Sequence, residues 1–192
     1  MEAWEKLTNP KKLRENLMSA SVYISSYEMC RDFIISKPRD FFTDHWGING
    51  ETLSEEYSKE VMSFNQSPLK ASLLWFKDQG AISDIDIECF EKAREHRNEI
   101  AHNLPKFISE PDHEVDASIF NRMLEVTNKI GVYWVINYES SIHPDYSGAE
   151  VDENGIKIGT VMMIKMIMQI AFGQEPEDGY YYNGIKKAIE KD

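Results

Sequence analysis

The sequence predicts an all-α protein, a helical bundle of four to six helices with a C-terminal loop and helix extension. Three observations predict it. Apolar residues recur at steps of three and four over most of the chain. The periodic segments open on Asn, Ser or Asp, often followed by Pro, and close on Gly or Pro. The connections between them are mostly short, as in bundles.

The first long segment spans about 10–36. Pro10 suits a first helical turn behind Asn9 as cap. Leu13, Leu17, Ala20, Ile24 and Tyr27 mark its apolar face, and Pro38 is expected to stop it. Phe41, Phe42 and Trp46 then read as aromatic anchors of a packed connection before Gly47 and Gly50. A short helix is expected over 54–64, capped by Ser54, and another from Ser67-Pro68 to Gln79, closed by Gly80. Ser83 or Asp84 caps the next, expected over about 84–104 with Pro105 as its end. Asp116 or Ser118 opens a long helix to about Tyr138, striped by Ile119, Met123, Val126, Ile130 and Tyr133.

Residues 1–138 thus form the bundle core. Residues 139–192 add a loop and an apolar helix packed on the same domain. Positions 139–155 are rich in Ser, Asp, Glu, Gly, Asn and Pro, with a turn signal at Asn154-Gly155. A helix returns over 157–172, rich in Met and read as adaptable core or a self-association surface. A short Lys-rich helix comes after Tyr180-Tyr181-Tyr182.

A chain of 192 residues with 42% apolar residues, including 4 Trp, 9 Tyr and 9 Phe, has the material for one sizeable core. A net charge of −12 argues against a broad basic surface for duplex nucleic acid, while leaving room for a small local site that handles RNA. Cys30 and Cys89 lack metal-ligand spacing and read as reduced, buried thiols. Met1–Lys6 shows no basic stretch ahead of an apolar run, so no signal peptide is expected. The most apolar stretch, 161–172, is too short to span a bilayer, and a soluble cytoplasmic location is the expectation.

The chemistry concentrates in Glu95-His96-Arg97-Asn98-Glu99-Ile100-Ala101-His102-Asn103. His moves protons near neutral pH, Arg grips phosphate through a planar fork, and Asn orients either. On a helix Asn98 and His102 share a face, whereas Arg97 and His102 differ by about 140°. Two geometries remain open: the long Arg97 side chain curls into a cleft shared with His102, or two copies of this helix build a composite site across a dimer axis. The plainer reading is an ion pair between Arg97 and carboxylates on the Glu91 side or Asp residues of a neighbouring helix.

Arg97-Asn98-Glu99-Ile100-Ala101-His102, in its helical context, resembles the signature of the HEPN domain superfamily: Arg, a polar residue, then His after four to six intervening positions. The resemblance covers about fifteen residues, from Cys89 to Asn103. It implies a bundle that dimerises through the motif helices and a metal-independent endoribonuclease, often a toxin or an abortive-infection or antiviral defence effector. Arg97 and His102 would be the catalytic pair, with Asn98 as polar helper. His96 and Arg94 are further candidates for substrate binding. Neither cofactor nor metal is expected, and an antitoxin or regulatory protein is an expected partner. One subgroup, paired with a nucleotidyltransferase antitoxin, carries Tyr two residues after the His; Leu104 stands there in this chain. The alternative is a non-catalytic HEPN-like module that binds a nucleotide, RNA or a protein partner. Asp112-His113-Glu114 reads as solvated charge, not a metal site, and His96 as a surface histidine when it takes no part in chemistry.

Overall fold

The computed structural model describes residues 2–47, 50–140 and 152–190. Among them are eight α-helices: α1 (Glu2–Thr8), α2 (Pro10–Phe41), α3 (Pro68–Asp78), α4 (Asp84–His102), α5 (Leu104–Ser109), α6 (Ala117–Trp134), α7 (Gly159–Ala171) and α8 (Tyr180–Ile189). The expected all-α class holds. Five of these helices have eleven residues or more and make the bundle. Much of the 139–155 loop lies outside the described residues; its last part, Glu153–Gly155, is a 3-10 turn.

The spine is α2. Asn9 caps it through bonds from the Lys11 and Lys12 amides, and Pro10 occupies the first turn. The buried stripe is Ala20, Tyr23, Tyr27, Cys30 and Ile34, at steps of three and four. Two expectations are corrected here. Leu17 is exposed, so the apolar face is rotated from the one the leucines suggest. Pro38 does not stop the helix but is buried inside its last turns. Aromatic packing just beyond the proline offsets the lost donor: Phe41 packs edge-on to Phe42 and Tyr138 at 5.0 Å each, and Phe42 packs on Trp75 at 6.3 Å.

The connection after α2 is a hairpin, not an irregular segment. Strand β1 (Thr43–Gly47) pairs antiparallel with β2 (Gly50–Leu53), with a bulge between Thr43 and His45. The expected short helix is a turn that winds as a π-helix over Tyr57–Val61. Ser54 does not cap it: its hydroxyl is buried without a hydrogen-bond partner. Gly80, at φ +78°, reverses the chain after α3, a left-handed position that glycine takes without strain.

The core runs between α2, α3, α4 and α6, with Phe76, Phe90, Met123 and Ile130 sealed inside. Lys6 of α1 is buried and donates to the carbonyls of Glu110 (2.7 Å) and His113 (2.6 Å), tying the first helix to the loop between α5 and α6. Helix α7 packs on α2 and α6 and adds Ile164 to the core. Its Met162 and Met163 are exposed, whereas Met168 packs against the core. Ile158, just before α7, fits against Gly131 of α6, where an added Cβ would stand 2.6 Å from the Ile158 side chain. Gly131→Ala is therefore expected to destabilise the fold by about 1–3 kcal/mol despite alanine's better helix propensity. Thermal unfolding checks this, and Ile158→Ala in the same chain should recover part of the loss. Among the described residues no helix is long and apolar enough to cross a membrane.

Candidate functional site

Helix α4 begins on a capping box. The Ser83 hydroxyl accepts from the Asp86 amide, and the Asp86 carboxylate accepts from the Ser83 amide at 2.9 Å. Lys129 of α6 donates to the same carboxylate at 2.6 Å. Burial pushes the Asp86 carboxyl up, but the bonds from Lys129 and Ser83 outweigh it and hold the group below the ordinary range. A lowered folded pKa contributes stability above the unfolded value, about 3.9, and loses it as pH falls through the folded value. Asp86→Asn should thus cost about 1–2 kcal/mol at pH 7. The gap to the parent protein, read from urea melts, should close in strong acid.

The helix buries Phe90, Ala93, His96 and Ile100. His96 is not the surface histidine expected. Its Nε2 accepts from the Asp116 amide at 2.9 Å, its Nδ1 lies 3.4 Å from Glu99, and the Tyr23 ring meets it edge-on at 5.0 Å. Since Nε2 accepts, the neutral ring carries its proton on Nδ1. The residue fastens α4 to Asp116, the N-cap of α6. The Tyr23 hydroxyl adds a bond to the Ala93 carbonyl at 3.2 Å.

One position on, Arg97 lies at the seam between α4 and α2, half-buried. Its guanidinium stands over the Tyr27 ring at 5.6 Å. Nη2 donates to Glu28, and Nη1 donates to Asn98 at 2.9 Å. Nε is buried and has no hydrogen-bond partner. Glu28 is shared: its second oxygen lies 3.5 Å from Arg31, which also meets Asp32 at 3.0 Å. Arg94 pairs with Glu91 at 2.7 Å. Three of the chain's six arginines thus gather around Tyr27. Burial, then the Glu28 carboxylate, raise the Tyr27 hydroxyl above its ordinary value; Arg94, Arg31 and Arg97 pull the other way.

His102 is the last residue of α4 and is exposed, with no side-chain bond among the described residues. Five helical positions separate it from Arg97, about 7.5 Å along the axis and 140° around it. The fold therefore joins Arg97 to Asn98 and leaves His102 apart on the open surface. Arg97 pairs with a neighbouring helix, but through a glutamate, Glu28 of α2, and not through an aspartate or the Glu91 side as the plainer reading expects; Glu91 takes Arg94. Glu28, Arg31 and Tyr27 had no local signal in the sequence, because they reach the motif across about seventy positions.

Among the described residues no three His, Cys, Asp or Glu side chains gather closely enough to hold a metal ion. Both cysteines are free. Cys30 is buried and its thiol is pushed up to about 11 by that burial, which keeps it unreactive, whereas Cys89 is only half-buried. The arrangement defines a class: an all-α protein with an arginine-lined seam between two helices and, apart from it, an exposed histidine at a helix end. Compared with models of protein families, with curated proteins and with solved structures, the chain matches none.

Proposed function

We propose that this protein is a metal-independent endoribonuclease of the HEPN type, acting as a homodimer in the cytoplasm as a toxin or antiviral defence effector. The supporting observation is Arg97: a guanidinium bonded to Asn98, half-exposed, and flanked by two more arginines in a chain of net charge −12. Such a cluster suits a phosphodiester. Exposed His102 supplies the proton acceptor. Two α4 helices meeting across a dimer axis bring each copy's His102 toward the other's Arg97, which helix geometry keeps apart within one copy.

The chemistry then balances on side chains and water. One imidazole takes the proton of the ribose 2′-hydroxyl. The 2′-oxygen bonds to phosphorus, and Arg97 offsets the charge growing on the phosphoryl oxygens. The bond from phosphorus to the 5′-oxygen breaks, and that oxygen takes a proton from water as the imidazolium returns its own to the solvent. The products are a 2′,3′-cyclic phosphate and a 5′-hydroxyl. RNA is the substrate, and an antitoxin or regulatory protein is the partner that restrains the enzyme.

Purified protein incubated with RNA in excess chelator should yield those ends, and a sizing measurement at micromolar concentration should give a dimer. RNA left intact, or 5′-phosphate ends, would remove the assignment. The second reading, a non-catalytic helical module, draws on the Arg97–Glu28 pair, since an arginine already matched by a carboxylate can serve packing alone.

A further inference from the structure

The Glu28 carboxylate has an unusual seat. One oxygen takes Nη2 of Arg97 and the other lies 3.5 Å from Nη1 of Arg31. A phosphodiester offers the same pattern, two non-bridging oxygens sharing one negative charge, and guanidinium forks match it in the same way. The seat is partly open, with the Arg97, Arg31 and Glu28 side chains between 31% and 42% exposed. Glutamate is long and rotamer-rich, so it can leave the clamp without moving the backbone. The buried Nε of Arg97 is a donor still lacking an acceptor, and an oxyanion seated between the two forks supplies further acceptor oxygens nearby.

We propose that Arg31 and Arg97 form a clamp for an RNA phosphodiester, and that Glu28 occupies it in the RNA-free protein as an internal stand-in that substrate must displace. The inference rests on the ribonuclease reading for its ligand, and it adds two residues to the site: Arg31 as a phosphate contact and Glu28 as its gate. The gate explains how a seam with three guanidiniums stays neutral in the free state. Arg31, Arg94 and Arg97 are matched by Glu28, Glu91 and Asp32, so the cluster binds weakly until one carboxylate swings out.

The test is binding of a 2′-O-methyl oligoribonucleotide, which has the phosphates of RNA but no hydroxyl to attack. Fluorescence anisotropy should show Glu28→Gln binding about tenfold tighter than the parent protein, the effect of removing one charge a few ångströms from the phosphate. Arg31→Gln, a change at a half-exposed position that leaves the core intact, should bind about tenfold more weakly in either background. Unchanged or weaker binding by Glu28→Gln, with helical content intact by circular dichroism, would overturn the gate. Unchanged binding by Arg31→Gln would overturn the clamp. The two readings separate cleanly. Shifted affinities with no cleavage of ordinary RNA retain the clamp and remove the nuclease, whereas cleavage with unshifted affinities does the reverse.

Discussion

His102→Ala is expected to lower the rate of RNA cleavage by about 10²–10⁴-fold, the usual loss when a positioned acid–base group is removed. The loss should fall on kcat, because an exposed imidazole at the end of α4 contributes little to holding the substrate. The fold should be untouched, since the side chain makes no bond among the described residues. Arg97→Ala should be as damaging but different in kind. It removes the proposed phosphate contact as well as a bond to Asn98 and the cover over Tyr27, and it leaves Glu28 without its main partner. Both KM and kcat should suffer, with some loss of stability. Equal cleavage by the parent and both variants would show that neither residue does the proposed chemistry. Mixing the two inactive variants adds a sharper readout. In a composite site, heterodimers regain one intact Arg97 and His102 pair, and a measurable part of the activity should return.

The largest expected effect on stability is that of Phe90→Ala, about 3–5 kcal/mol. Phe90 is 1% exposed and lies in the seam that seats the candidate site, with its ring 5.7 Å from that of Tyr27. Its removal leaves a hollow that Tyr27 and Ala93 cannot fill, because each is held by other contacts: Tyr27 under Arg97, and Ala93 by the hydrogen bond from Tyr23. Urea denaturation gives the difference directly if the transition remains two-state. Phe90→Leu should cost much less. A loss below about 1 kcal/mol for the alanine variant would mean that the seam can collapse around the hollow.

Much of the architecture was legible because it is written locally. Ser83 and Asp86 lie three residues apart, Asn9 sits before Pro10, and Asp116 precedes a strong apolar stripe; each pattern states its own helix start. The errors arose where a tertiary contact overrode a local rule. Pro38 reads as a stop, yet the aromatic packing beyond it holds the helix for three more residues. Pro105 does follow the end of α4, which stops at His102, but the same proline also opens α5, where a missing amide donor costs nothing. His96 is polar and borders a polar motif, and its burial follows from the Asp116 amide twenty positions away. The site divides in the same way. The spacing of Asn98 and His102, and the turning aside of Arg97, follow from helix geometry. The carboxylate that receives Arg97 does not, since any of 33 acidic residues could have been its partner.

The long helix α2 packs against α1, α3, α4, α5, α6 and α7. That arrangement sets a schedule for synthesis. Its N-terminal neighbours leave the ribosome early, but α6 and α7, which cover its remaining sides, are made only after residue 116 and residue 158. Until then Tyr23, whose ring packs 5.7 Å from that of Phe120 in α6, stands partly uncovered on a nascent chain, a surface that chaperones bind. The arginine seam between α2 and α4 can assemble once residue 102 has emerged, well before α6 and α7 close over the helix.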